Sequence, residues 1–97
     1  MTSAAWTLAA FEQRLDSWVV QEQPDDPLRT LVTAWILSRF DDPYEGVVRE
    51  PGFANLWYGA IPGSLHNSDH VIVCAYWIME GSRTVVCESF ASLSLPL

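Results

Sequence analysis

Two apolar runs near the C-terminal end, His70 to Met79 and Thr84 to Ala91, constrain this chain more than any other feature. Both are rich in β-branched and aromatic residues, and Glu80-Gly81-Ser82-Arg83 lies between them, which predicts a β-hairpin. With Gly81-Ser82 as the loop, Met79 faces Thr84, Trp77 faces Val86, Ala75 faces Glu88 and Val73 faces Phe90 on one side. On the other side Ile78 meets Val85, Tyr76 meets Cys87, Cys74 meets Ser89 and Ile72 meets Ala91. A sheet with one wet face alternates apolar and polar residues, and these strands do not. Either the chain folds back over both faces, or one face meets another protein. The expected contact surface is Trp57, Val73, Trp77, Met79, Val86 and Phe90.

The covering layer has to come from upstream. Leu8, Phe11, Leu15, Trp18 and Val19 recur at three- and four-residue intervals, predicting a helix from Leu8 to about Gln21. Trp6-Thr7-Leu8 reads equally well as a short opening strand. Pro24-Asp25-Asp26-Pro27 closes that helix and opens a second, with Asp26 as N-cap and Pro27 at the first helical position. Leu28, Leu31, Val32, Trp35, Ile36 and Arg39 trace its stripe to about Phe40. So short a linker makes the pair an antiparallel helical hairpin.

Beyond it, Asp42-Pro43 reads as a turn, and Val47 to Gly52 as a loop ending in a Pro51-Gly52 turn. Phe53 to Ile61 reads as extended chain, followed by a polar loop from Ser64 to Asp69. Neither half buries its own apolar face, so residues 1–97 read as a single compact α+β domain. Its expected architecture is an N-terminal helical hairpin packed on a three- to four-stranded antiparallel sheet.

Charge narrows the partners. Twelve acids stand against five arginines with no lysine, a formal −7. That balance argues against a nucleic-acid surface and against an anionic membrane. An apolar fraction of 49% with five tryptophans excludes a disordered acidic tail. The longest apolar run, Val71 to Met79, falls well short of the roughly 18 residues of a membrane helix. Met1-Thr2-Ser3-Ala4-Ala5 lacks the basic flank of a signal peptide, and two cysteines are too few for a disulfide scaffold. The expected location is cytoplasmic, in a bacterial cell.

No residue pattern spells out a reaction. His66 and His70 flank Asp69 in a loop with no regularly placed third ligand, so no metal site is expected. Cys74 and Cys87 fall on one face but diagonally offset, which suits buried thiols rather than a disulfide. Asp25-Asp26 and Asp41-Asp42 each precede a proline, where capping and turn formation explain them. Glu88, the one charge inside a strand, reads as an edge guard or as a buried acid paired with Arg83 or Arg49. Trp57, Tyr58 and Trp77 offer a stacking platform for a base, but the acidic chain repels phosphates. A pocket enzyme would have only Glu88, Tyr76, Tyr58 and the two histidines, which form no recognisable set. Catalytic residues and cofactors are therefore expected to be none, and the partner to be a second copy or another protein.

The order of elements resembles the RelE/ParE toxin superfamily, including its HigB-like members, over roughly Trp6 to Leu93. The similar segments are Asp42-Pro43, Asn55-Leu56-Trp57, Val71-Ile72-Val73-Cys74-Ala75-Tyr76 and Arg83-Thr84-Val85-Val86-Cys87. The resemblance implies a helical hairpin ahead of a compact sheet whose last two strands form a hairpin. Ribosome-dependent nucleases of that superfamily carry basic side chains on the central strands and near the C-terminus. At the matching places stand Trp57, Tyr58, Ala75 and Ser92, and the remaining candidates Arg49, Arg83, His66 and His70 are scattered. The resemblance thus implies a ParE-like action on a protein such as gyrase, or a catalytically silent scaffold, with an antitoxin as partner. A non-enzymatic interaction module that forms homo- or hetero-oligomers is the first expectation, and such a toxin is the alternative.

Overall fold

The computed structural model describes residues 5–95; the opening segment read for a signal peptide lies, up to residue 4, outside the described residues. In chain order it has β1 (Thr7–Ala9), α1 (Phe11–Glu22), α2 (Asp26–Ser38), β2 (Val48–Arg49), β3 (Leu56–Ala60), β4 (His70–Met79) and β5 (Thr84–Ser94). The sheet runs β1-β5-β4-β3-β2. All neighbours are antiparallel except β1 and β5, which pair parallel from Thr7↔Thr84 to Ala9↔Val86.

The α+β hairpin-on-sheet architecture is present, with five strands rather than three or four and one parallel pair. The two extra strands are the two short segments. Thr7–Ala9 is extended because Ala10, in the left-handed region at φ 65°, breaks the chain before α1 starts at Phe11. Val48–Arg49, expected in a loop, pairs with Tyr58 and Trp57. Only tertiary pairing makes segments of three and two residues into strands.

The helical hairpin closes as its punctuation requires, one residue earlier than expected. Asp25, not Asp26, is the N-cap of α2, its carboxylate accepting from the Leu28 N–H at 3.0 Å. Such a cap contributes about 1 kcal/mol. Gln23 ends α1 in a left-handed conformation, its N–H returning to the Val19 carbonyl at 2.9 Å.

One face of the sheet carries the core. Phe11 and Trp18 from α1 and Val32 and Ile36 from α2 pack on Ile72, Cys74, Tyr76 and Ile78 of β4 and Val85 and Cys87 of β5. All of these side chains are buried. The segment after α2 extends the cover over β3. There Gly59 has no room for a side chain, since a Cβ would sit 2.7 Å from the Gly46 carbonyl oxygen and 2.9 Å from Val47 Cγ1.

The β4–β5 hairpin pairs as expected from Met79↔Thr84 to Tyr76↔Cys87 and then shifts. Glu88 is left unopposed as a β-bulge, and Ala75 pairs with Ser89, Cys74 with Phe90, Val73 with Ala91 and Ile72 with Ser92. The expected register from Ala75 onward is therefore corrected by one residue. The bulge brings Phe90 onto the covered face, where its ring lies 6.3 Å from both Phe11 and Trp18. Without it, a phenyl group would be traded for a small polar side chain in the core.

Candidate interaction surface

Strand alternation sends Val73, Ala75, Trp77 and Met79 of β4 away from the helices. Leu56 and Tyr58 of β3 stand opposite Trp77 and Ala75, and Val86 and Ala91 of β5 stand opposite Trp77 and Val73. Trp77 is the centre of this second face. Phe53 packs edge-on against its ring at 5.8 Å, and its indole N–H donates to Glu88 Oε1 at 2.9 Å. Asn55 Nδ2 lies 3.1 Å from the Met79 sulfur. Phe53 is 47% exposed and Met79 42%, so the patch continues apolar to its solvent edge.

Four of the six residues expected on one surface, Val73, Trp77, Met79 and Val86, share this face. The other two do not. Trp57 pairs with Tyr76 and packs against the core from the helix side, its ring 5.1 Å from Tyr44. Phe90 is carried to that same side by the bulge. The sheet therefore divides the supposed stacking platform, leaving Tyr58 and Trp77 on one face and Trp57 on the other. Leu56 and Phe53 join the surface unforeseen. A signal for the β3 register was present in Gly59, since a glycine under a crossing loop puts residues 57 and 59 on the covered side and residues 56 and 58 on the other.

No family model matches the chain, and no curated protein sequence matches it. Among solved structures, the E. coli toxin RelE, as a double arginine-to-alanine mutant in the free state, superposes with a TM-score of 0.61. The two are 15% identical, and the match covers 90% of this chain and 82% of that one. This chain has a RelE-like fold. Of the four positions where the resemblance sets basic residues against Trp57, Tyr58, Ala75 and Ser92, the RelE-like fold puts Tyr58 and Ala75 side by side on the open face. Trp57 and Ser92 belong to the covered side.

The arginines lie elsewhere in this RelE-like fold, and none is on β3, β4 or β5. Arg39 is buried behind α2, donating to the Glu45 carbonyl at 2.7 Å, the Tyr76 hydroxyl at 3.2 Å and Ser38 Oγ, with its guanidinium 4.4 Å above Trp35. Arg83 lies 4.4 Å above Trp6, and Arg49 donates to the Phe53 carbonyl at 2.8 Å. Glu88 pairs with an indole rather than with Arg83 or Arg49, and it sits at the bulge of β5 just past Val86, where β1 has ended and that side of the strand is open. Cys74 and Cys87 are both free and buried; burial, with Cys87 alongside, pushes the Cys74 thiol well up and keeps it protonated. Among the described residues no three His, Cys, Asp or Glu side chains are placed to hold a metal ion, and no helix is long and apolar enough to cross a membrane.

Proposed function

We propose that this chain is a relative of the RelE-type toxins that works in the bacterial cytoplasm by binding protein through its open sheet face, not by cleaving mRNA. One observation carries the reading. The face that the helices leave free is built from Leu56, Tyr58, Trp77, Met79 and Val86, and the three strands that form it hold no lysine or arginine. Phosphate chemistry on an RNA backbone needs cations where the charge develops. An apolar face with an aromatic at its centre has the anatomy of the core of a protein interface. The toxin named in the structural match supplies the biological setting, and a net charge of −7 favours a partner that is basic, as an antitoxin segment with an aliphatic stripe would be.

Induced expression tests this directly. Growth should arrest with cellular mRNA intact, and Trp77→Gln should relieve the arrest while leaving the circular dichroism spectrum unchanged. Normal growth, or cleavage of ribosome-bound mRNA, would remove the reading. Light-scattering mass across a concentration series separates the two kinds of occupant. A monomer leaves the face for a different protein, and a dimer lost in Trp77→Gln assigns it to a second copy.

A further inference from the structure

The bulge at Glu88 has an effect beyond the core. By moving β5 on by one residue it sets Ser92 opposite Ile72, and so on the helix side of the sheet, where the turn between His66 and His70 meets the C-terminal end of α1. There Ser92 Oγ lies 2.8 Å from His66 Nε2. The other ring nitrogen, Nδ1, lies 2.8 Å from the Ser64 carbonyl oxygen. A carbonyl only accepts, so Nδ1 carries the proton and Nε2 is the acceptor that faces the serine hydroxyl.

The imidazole is held rather than free. His66 and His70 exchange two backbone hydrogen bonds, of 2.8 and 2.9 Å. Ser64, which orients the ring, is buried and receives the Ile72 N–H on its own hydroxyl at 3.0 Å. Asn67 and Ser68 adopt left-handed conformations between the two histidines, at φ 49° and 73°, so the turn carries backbone strain.

The pair opens on a cleft of about 490 Å³, large enough for a small organic ligand. Trp18, Glu22, Asp25 and Leu28 also line it, and Glu22 Oε2 accepts the Ser92 N–H at 3.3 Å. Trp18 is only 2% exposed, and its indole N–H has no acceptor. Glu22 and Asp25 make the cleft acidic, so it repels phosphates and carboxylates and suits uncharged or cationic molecules.

We propose that His66 and Ser92 are a base and a nucleophile that hydrolyse small uncharged or cationic carboxylic esters in this cleft. Ser92 Oγ attacks the ester carbonyl carbon as its proton passes to His66 Nε2. The tetrahedral adduct collapses, the alcohol leaves with the proton from His66, and an acyl group remains on Ser92. Water then attacks that acyl group, giving its proton to His66. The acid departs, and Ser92 recovers its proton. The Ser64 carbonyl takes the orienting place that a carboxylate holds in three-residue versions of the arrangement. His70 and Ser94 form a looser neighbour, 3.3 Å apart.

An uncharged fluorophosphonate probe tests the assignment, with the adduct located by peptide mass mapping and turnover followed with 4-nitrophenyl acetate. The expected result is one adduct on Ser92, with loss of fluoride. Labelling should fall about 100-fold or more in His66→Gln and disappear in Ser92→Ala, while Ser94→Ala labels like the parent. An unlabelled parent, an adduct on Ser94 or elsewhere, or ester hydrolysis undiminished in a folded Ser92→Ala variant would overturn it. Should Ser92→Ala not fold, the site of the adduct on the parent chain decides alone.

Discussion

Trp77 donates its indole N–H to Glu88 across the β4–β5 pair at 2.9 Å, and Glu88 is the one residue of β5 without an opposite number. The hydrogen bond lies on the open face. The consequence of the extra residue lies on the other, where Phe90 fills the space between Phe11 and Trp18. A bulge on one side of the sheet thus sets the core on the opposite side.

Deleting Glu88 should cost less than losing Phe90. Glu88→Ala keeps the register and loses one exposed hydrogen bond, about 1 kcal/mol or less. Phe90→Ala empties core volume at about 3 kcal/mol. Removing residue 88 altogether closes the bulge and leaves Ser89 opposite Ala75 and Phe90 opposite Cys74, and should destabilise less than Phe90→Ala in urea unfolding. A deletion variant less stable than Phe90→Ala would mean that closing the bulge does not leave Phe90 in the core.

Arg39 and Tyr76 should prove coupled. The guanidinium joins the end of α2, the Glu45 carbonyl and the Tyr76 hydroxyl, which itself donates to the Pro43 carbonyl. Arg39→Met should cost about 3 kcal/mol and Tyr76→Phe about 1–2 kcal/mol. In a double-mutant cycle the two should fall short of additivity by about 1 kcal/mol. Additive losses would mean that the contact contributes nothing of its own.

Alkaline pH should unfold the chain through its tyrosines. Burial pushes Tyr76 up to about 12, and donation to Glu80, followed by burial, pushes Tyr44 up to about 12, from an ordinary 10.0. Unfolded phenols ionise first, so this stabilisation is whole below pH 10 and is lost as pH rises to about 12. The urea midpoint should fall across that interval, and by much less in Tyr76→Phe, since Tyr76 is buried and solvent screens the exposed Tyr44. A midpoint flat to pH 12 would contradict it.

Two glycines should respond in opposite ways. Gly59→Ala drives a Cβ into the Gly46 carbonyl and Val47, and should cost about 1–3 kcal/mol by lifting the loop. Gly81→Ala meets nothing within 4 Å and should change stability by less than about 0.5 kcal/mol. Equal thermal midpoints for the two variants would mean that the loop is not seated on β3.

Local physics carries far in this chain. The stripes from Phe11 to Val19 and from Leu28 to Ile36 define two helices, because a 3.6-residue period leaves one side apolar wherever the helix ends up packing. Asp25-Asp26-Pro27 marks the start of α2 to within a residue, since capping and the missing proline N–H act within a single turn. The turn at Gly81-Ser82 sets the first four pairs of the hairpin, and with them the grouping of Trp77, Met79 and Val86.

What lies beyond one turn's reach is different. Thr7–Ala9 and Val48–Arg49 are strands only because β5 and β3 offer them free edges. Which face received Trp57, Phe90 and Ser92 depended on a cross-strand register and on one bulge, and a shift of one residue reverses every side chain after it. The meeting of His66 with Ser92, 26 residues apart, follows from that shift. The elements and their apolar sides were legible in the chain alone, because they follow from interactions within a few residues, and the acidic charge follows from composition. Strand order, register and the joining of side chains into sites came only with the folded chain, because they depend on which distant segments compete for the same edge and the same core volume.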